Sequence, residues 1–202
     1  EEEQRENGKR LKKTLESTIN ALSSIIKTKD PYTYGHQQRV CKLAVLIAKD
    51  LGLEESSVEA VRTAAKIHDI GKINIPASVL NKPGRLTDIE YSLIKTHSQM
   101  SYEMVKGIEF PMPVAEIILQ HHEKLDGSGY PRGLKEKDIM LEAKILTVAD
   151  VVEAISSDRP YRPALGLSVA IEEIKKNRGK LYDPVVVDSC IKLVTEKGFK
   201  FD

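Results

Sequence analysis

Residues 121–131 of this chain read HHEKLDGSGYP, and residues 68–72 read HDIGK. The chain has 202 residues and 5 histidines, and every histidine lies in or near a short string of this kind. Histidines concentrated in this way, rather than scattered over the surface, indicate a shared chemical task. We therefore expect a buried metal site with a substrate loop beside it.

The residues around these strings repeat at helical spacing. Apolar side chains recur every three or four residues, and His36, His68, His97 and His121 fall on the same stripes. No segment shows sustained two-residue alternation, so we expect few strands or none. The sequence thus predicts an all-α domain, with helices over approximately residues 11–25, 40–51, 58–68, 87–104, 114–121, 141–157, 168–178 and 184–197.

Two features of these helices are specific. Residues 87–90 read Thr-Asp-Ile-Glu, which has the form of a capping box at a helix start. In the helix that follows, Leu93, Met100 and Met104 share a face with His97, and we expect that face to be buried.

The N-terminal segment predicts an amphipathic helix. Its stripe has four-three spacing over Leu11, Leu15, Thr18, Leu22 and Ile25. Two explanations stay open, because two heptads are too few to decide between them. The stripe could be a coiled-coil seam that forms a homodimer, or the contact face of an ordinary helix packed on its own domain.

Composition argues against several classes of protein. With 41% hydrophobic and 30% charged residues the chain can bury the core of one domain, and a net charge of +1 does not attract nucleic-acid polymers or anionic membranes. Cys41 and Cys190 lie in apolar helical contexts without a CxxC spacing, which predicts buried thiols in a reducing compartment. The longest apolar run, residues 43–48, is far shorter than the ~20 residues that span a bilayer. We expect a cytoplasmic protein with no membrane element in this segment.

One group of polar residues carries the chemistry. A lone histidine on an apolar face is more often a core residue than a ligand, but burying the whole group without partners would cost several kcal/mol for each member. Metal coordination explains the group. Imidazole and carboxylate without thiolate suit iron or manganese, and nickel, cobalt and zinc can also bind them. The members are His36, His68, Asp69, His97, His121, His122 and Asp150.

This group exceeds what one tetrahedral ion can use, so we expect two divalent ions. Two ions about 3.5 to 4 Å apart, with Asp69 bridging them, would leave positions open for a bridging hydroxide. One ion lowers the pKa of the attacking water, and both withdraw charge from a phosphoryl group. Such sites hydrolyse phosphate esters.

Three features beside this group could contact a substrate. Lys72 lies about one helical turn beyond Asp69, where its ammonium could meet a phosphate oxygen, although the spacing also fits a surface lysine. Gly127 and Gly129 let a loop backbone approach a ligand closely. Residues 158–162 carry two guanidinium groups and a phenol ring that could grip phosphates and stack on bases. A helix-terminating turn with surface arginines fits residues 158–162 equally.

These strings, in this order, closely resemble the HD-GYP family, a branch of the HD metal-dependent phosphohydrolases. The resemblance rests on residues 68–72, 121–123, 126–131 and 159–162, and it covers about residues 30–188. It implies an all-α HD-domain helical bundle with a GYP loop, which hydrolyses cyclic di-GMP to pGpG and in many members onward to GMP. Family members usually append this domain to a sensory or receiver module. Residues 1–29 would then be an N-terminal linker or signalling helix, and residues 30–202 the HD-GYP phosphodiesterase domain.

The resemblance also implies roles for individual residues. One ion would be held by His36, His68, Asp69 and Asp150. The other would be held by Asp69, His97, His121 and His122. Asp69 and Lys72 would be the catalytic residues. Positions that contact substrate phosphates or guanines match Lys72, Arg159 and Arg162, and the tyrosine of the GYP loop is Tyr130.

Three positions depart from the family pattern. Tyr32 stands where some members have a glutamate that holds a third metal, so we expect two metals. Glu153 stands where an aspartate is frequent, and Leu125 where an aromatic residue is frequent. The ligand set stays complete, while the longer Glu153 side chain bears on the contacts to substrate.

Three functions stay open at this point. The first is metal-dependent hydrolysis of cyclic di-GMP by a metal-bridging hydroxide. The second is an HD phosphohydrolase that acts on another nucleotide, such as cyclic GMP-AMP. The third is a binding module with little turnover, which senses cyclic di-GMP or docks a diguanylate cyclase domain through the GYP loop. The complete ligand set favours the first.

Overall fold

The computed structural model of the chain describes residues 2–29, 31–158 and 163–201. Its α-helices are α1 (Glu2–Lys29), α2 (Pro31–Asp50), α3 (Glu55–Ile67), α4 (Ala77–Leu80), α5 (Asp88–Val105), α6 (Val114–Gln120), α7 (Leu141–Ser156), α8 (Leu167–Lys176) and α9 (Pro184–Thr195). Two short 3₁₀ helices cover Ile70–Asn74 and Glu136–Asp138.

The predicted all-α architecture is confirmed. In the described ranges, extended pairing is limited to two isolated bridges, Asp126 with Lys135 and Arg178 with Tyr182. The last residues of α7, α8 and α9 fall within two residues of their predicted ends. Every helix in the described part of the chain is too short or too polar to cross a bilayer.

The centre of the bundle consists of α2, α3 and α7, which pack against one another. Fully buried alanines such as Ala44, Ala65 and Ala149 let these helices approach closely, and larger side chains such as Ile47 and Leu146 fill the space between them. The predicted thiols are buried and unpaired in this core: Cys41 lies on α2 and Cys190 on α9.

The predicted capping box opens α5. The amide of Glu90 donates to Thr87 Oγ1 at 3.3 Å, and the amide of Thr87 donates to Glu90 Oε2 at 2.7 Å. Two backbone donors at the helix start are thereby satisfied. A second cap, which the sequence analysis missed, begins α9, where Asp183 accepts from the amides of Val185 and Val186.

Helix α1 packs against α2 and α3 of its own domain. Among the side chains of α1 that the structure describes, Ile19, Ser23 and Ile26 are buried, whereas Thr18 and Ile25 of the predicted stripe are exposed. The Leu11 side chain of that stripe lies outside the described part. The stripe is therefore displaced by about one residue from the prediction. Leu15 and Leu22 of the predicted stripe are half-buried and lie at the edge of the face that packs on the domain. The centre of that face is formed by the buried side chains instead.

The prediction for α5 is wrong for three side chains. Leu93, Met100 and Met104 are 38, 40 and 45% exposed, although His97 is buried as expected. Helix α5 lies against the 3₁₀ helix at Ile70–Asn74 with a side that carries small polar residues. A side-chain carbon at Gly71 would overlap the backbone of α5, so large side chains cannot enter this contact.

Candidate metal centre

The bundle brings together all the predicted ligands from separate elements. His36 lies on α2, His97 on α5 and Asp150 on α7. The pair His68-Asp69 follows the end of α3, and the pair His121-His122 follows the end of α6. All of these residues except His68 and His121 border an open cavity of about 330 Å³. His68 and His121 are fully buried.

The first triad consists of His36, His68 and Asp69, whose potential ligand atoms all lie within 4.8 Å of one another. Asp69 Oδ2 lies 3.8 Å from His36 Nε2 and 3.5 Å from His68 Nε2. Asp150 extends this group, because its Oδ1 lies 3.0 Å from His36 Nε2 and 4.0 Å from His68 Nε2. Two imidazoles and two carboxylates therefore converge.

The second triad consists of His97, His121 and His122. His97 Nε2 lies 3.4 Å from His121 Nε2 and 3.2 Å from His122 Nε2. Asp69 also reaches this triad, because its Oδ1 lies 3.3 Å from His97 Nε2. The two oxygens of Asp69 thus face different triads, which is the arrangement that a bridging carboxylate requires.

Hydrogen bonds at Nδ1 orient four of the imidazoles. Carbonyl oxygens three residues earlier accept from His68 at 2.9 Å, from His97 at 2.6 Å and from His121 at 2.5 Å. Glu153 holds Nδ1 of His36 in the same way. Each Nε2 is thereby directed toward the centre, as in metal sites where an outer hydrogen bond fixes the ligand imidazole.

Burial keeps most of these imidazoles neutral. It lowers the pKa of His97 to about 4 and that of His121 to about 3. His36 differs: burial lowers its pKa, but hydrogen bonds to Asp150 and Glu153 outweigh that effect and raise it. For the carboxyl group of Asp69, burial acts in the opposite direction and would raise the pKa. The charges of Lys72 and the neighbouring histidines outweigh burial and hold the pKa of Asp69 well below its usual range. Near neutral pH the centre offers imidazole lone pairs beside ionised carboxylates.

One buried atom tests whether this group suits a metal. His68 Nε2 is buried and has no hydrogen-bond partner among the described residues, although an orphaned polar atom of this kind is costly. It faces two carboxylates and neighbouring imidazoles. A divalent transition-metal ion would accept its lone pair and balance the carboxylate charge. The residues present therefore fit such ions.

The loop at residues 124–134 lies against the second triad through Tyr130, and Glu123 holds the loop in place. The buried carboxylate of Glu123 accepts from the amides of Arg132 at 2.7 Å and Leu134 at 2.9 Å. The Tyr130 ring packs on His122 with centroids 4.7 Å apart, and the Tyr130 amide donates to the His122 carbonyl at 3.2 Å. Glu123 thus anchors the loop and does not face the metal centre, a role that the sequence analysis did not assign.

Gly129 lets this loop pass close to the chain segment before it. A side-chain carbon at Gly129 would overlap the backbone of His122, Glu123 and Lys124. We expect Gly129→Ala to lower the free energy of unfolding by roughly 1 to 3 kcal/mol, the usual cost of forcing a group into a packed site. Denaturant unfolding measures the change. Gly107→Ala is the matched control, because nothing lies within 4 Å of that position; equal stability of the two variants would contradict this packing.

The predicted substrate contacts are placed only in part. Lys72 and Tyr130 border the cavity. The Lys72 ammonium lies 2.6 Å from Asp69 Oδ2, so in this structure it pairs with a predicted ligand. Arg159 and Arg162 lie outside the described residues.

Glu153 has a role that was not predicted from the sequence. This carboxylate is fully buried and pairs with both His36 and Arg39; the Arg39 Nη2 atom lies 2.7 Å from Glu153 Oε1. Glu153 lies one helical turn after Asp150 on α7, and residues three apart share a helix face. That spacing could have indicated that Glu153 faces the same group of residues as Asp150.

Comparisons with known proteins agree with this geometry. A family model described as HD domain matches residues 20–186. The cyclic di-GMP phosphodiesterase response regulator RpfG of Xanthomonas campestris pv. campestris is 42% identical over 177 residues, which cover 87% of this chain and 47% of RpfG. The 3′3′-cGAMP-specific phosphodiesterase 3 of Vibrio cholerae is 36% identical over 170 residues, covering 84% of this chain and 37% of that protein.

A solved structure supports the fold. The HD domain of the phosphodiesterase PgpH of L. monocytogenes, in complex with cyclic di-AMP, has a TM-score of 0.63 at 22% identity, covering 90% of this chain and 100% of that one. The chain spans less than half the length of both curated relatives described above. Because the family match covers most of the sequence, the chain belongs to the HD domain family, in its HD-GYP branch.

Proposed function

We propose that this domain hydrolyses cyclic di-GMP to pGpG, and pGpG onward to GMP, at a centre of two divalent metal ions. The observation that carries the proposal is the pair of triads joined by Asp69 and bordered by the GYP loop. RpfG, which shares 42% of the aligned residues, is named for the same activity.

The ligands divide between the two ions. His36, His68 and Asp150 would hold one, His97, His121 and His122 the other, and Asp69 would contact both. When bound, such ions lower the pKa of the attacking water and withdraw negative charge from the phosphoryl oxygens. Iron or manganese suits this ligand set, and nickel, cobalt or zinc can replace them.

Lys72 and Tyr130, which both border the cavity, are proposed to act on the substrate. The Lys72 ammonium now pairs with Asp69, and coordination of Asp69 by cations would leave it free to bind a non-bridging phosphate oxygen. Burial raises the pKa of Tyr130, so its phenol stays protonated and can donate a hydrogen bond. Arg159 and Arg162 are proposed as further phosphate or guanine contacts.

Residues 1–29 are proposed to carry regulation into residues 30–202. The long α1 packs on α2 and α3, and α2 carries His36. The chain matches less than half of RpfG, which is named a response regulator. A change in the position of α1 could therefore reach the first triad through one helix contact.

Hydrolysis of 3′3′-cGAMP is the second candidate, because the Vibrio cholerae relative at 36% identity is named for that substrate. Metal-loaded protein should be incubated with cyclic di-GMP, with 3′3′-cGAMP and with bis(p-nitrophenyl) phosphate, which has no base, and the products separated by chromatography. We expect cyclic di-GMP to give pGpG and GMP at the highest kcat/KM. Faster turnover of 3′3′-cGAMP would assign the second function. Tight binding without product would assign a sensor or docking module.

A further inference from the structure

One lysine, Lys95, lies close to two tyrosine rings, and one of these rings borders the cavity. Lys95 Nζ on α5 is 4.6 Å from the centre of the Tyr91 ring and 5.6 Å from that of Tyr130. The Tyr130 ring borders the cavity and packs on His122. The Tyr130 ring therefore contacts both the Lys95 ammonium and His122, a proposed metal ligand.

Lys95 differs from nearby lysines in its partners. Lys72 pairs with Asp69 at 2.6 Å, Lys82 with Glu90 at 2.7 Å and Lys106 with Glu103 at 2.5 Å. Among the residues that the structure describes, no carboxylate lies within ion-pair distance of the Lys95 ammonium, which rests against ring faces instead. A ring face attracts the charge but does not replace the acceptors that its three N–H groups can use.

The shape of the proposed substrate indicates what Lys95 meets. If one phosphate lies at the triads, the bases lie farther from the metal centre than the phosphate, and Tyr130 borders the cavity into which they would extend. Tyr91 is 48% exposed, so it offers a ring on which a base can stack. A guanine edge presents two acceptors, O6 and N7, whereas the same edge of adenine replaces O6 with an amino donor. An ammonium therefore matches guanine and opposes adenine.

We propose that Lys95, with Tyr91 and Tyr130, forms a binding site for one guanine base of the substrate and selects guanine over adenine there. This inference rests on the proposed function, because it assumes a cyclic dinucleotide at the metal centre. It assigns base selection to α5, a helix that lies far in the sequence from the arginines at residues 159 and 162. It also explains why the rim lysine lacks a carboxylate partner in the described part of the chain.

The test is competition against a substrate without a base. Hydrolysis of bis(p-nitrophenyl) phosphate reports the metal centre, and inhibition of that reaction by cyclic di-GMP or cyclic di-AMP reports binding of each base. In Lys95→Met, we expect the inhibition constant of cyclic di-GMP to rise roughly 10- to 100-fold, the usual effect of losing a base-edge contact. The constant for cyclic di-AMP should change by less than about 3-fold.

Lys106→Met is the matched control. Lys106 follows the last residue of α5, and its Nζ lies 6.0 Å from the centre of the Tyr102 ring, but it also pairs with Glu103. Both inhibition constants should stay at the wild-type values in that variant. Equal weakening of both cyclic dinucleotides in Lys95→Met would overturn base selection, and so would an unchanged constant for cyclic di-GMP. If the wild type cleaves bis(p-nitrophenyl) phosphate but neither dinucleotide inhibits it, the proposed function itself fails.

Discussion

Asp69→Asn is expected to reduce hydrolysis of cyclic di-GMP by at least about 100-fold. Loss of an outer hydrogen-bond partner of a metal ligand already costs about 10- to 100-fold, and Asp69 faces both triads directly. Asparagine keeps the shape of the side chain but removes the negative charge. Initial rates with metal-loaded protein measure the effect, and circular dichroism shows whether the helices persist.

Asp138→Asn provides the matched control for this substitution. Asp138 is an exposed aspartate in a 3₁₀ helix away from the triads, so its replacement should leave the rate at the wild-type value. A rate in Asp69→Asn equal to that of Asp138→Asn, with the helices intact, would be incompatible with a shared role of Asp69 in the two triads.

Removal of the metal ions is expected to abolish hydrolysis and to lower the Tm by roughly 10 °C. A ligand present at 1,000 times its Kd stabilises the folded state by about 4 kcal/mol, and about 1 kcal/mol shifts the Tm of a domain this size by about 2 to 4 °C. Without the ions, the buried carboxylates lose the positive charge that balances them, and the buried His68 Nε2 loses the metal to which it would bind. Thermal unfolding of chelated and Mn(II)-reconstituted protein measures the shift.

Asp69→Asn tests the specificity of this stabilisation. Its metal-dependent shift in Tm should be smaller than that of the wild type, because both triads lose a charged ligand. If chelation left the Tm of the wild type within about 1 °C, the buried histidines and carboxylates would have to be satisfied without ions.

Much of the fold followed from the sequence because its signals were local. The capping box at Thr87 and the apolar spacing of α7 to α9 depend on neighbours within one or two turns. The buried side of α5 could not be deduced in this way. It depends on Gly71, where the lack of a side chain lets the backbone of α5 at His97 and Ser101 approach closely.

The candidate site was predictable to the extent that its residue types are unusual. Buried histidines beside aspartates have few explanations, so grouping His36, His68 and His97 required no coordinates. The residues that hold these histidines and the loop in place could not be predicted, because the sequence does not show which group an acidic side chain contacts. Glu123 holds loop amides and Glu153 holds His36, and only the packing of α6 and α7 distinguishes these roles.

The metal content of the chain tests the central claim most directly. The protein should be purified without air, reconstituted with excess Mn(II), freed of unbound ions and subjected to elemental analysis. We expect two ions per chain in the wild type and one in the double variant His121→Gln/His122→Gln, which retains the first triad and Asp150. One ion or fewer in the wild type, or two in the double variant, would contradict a centre built from these two triads.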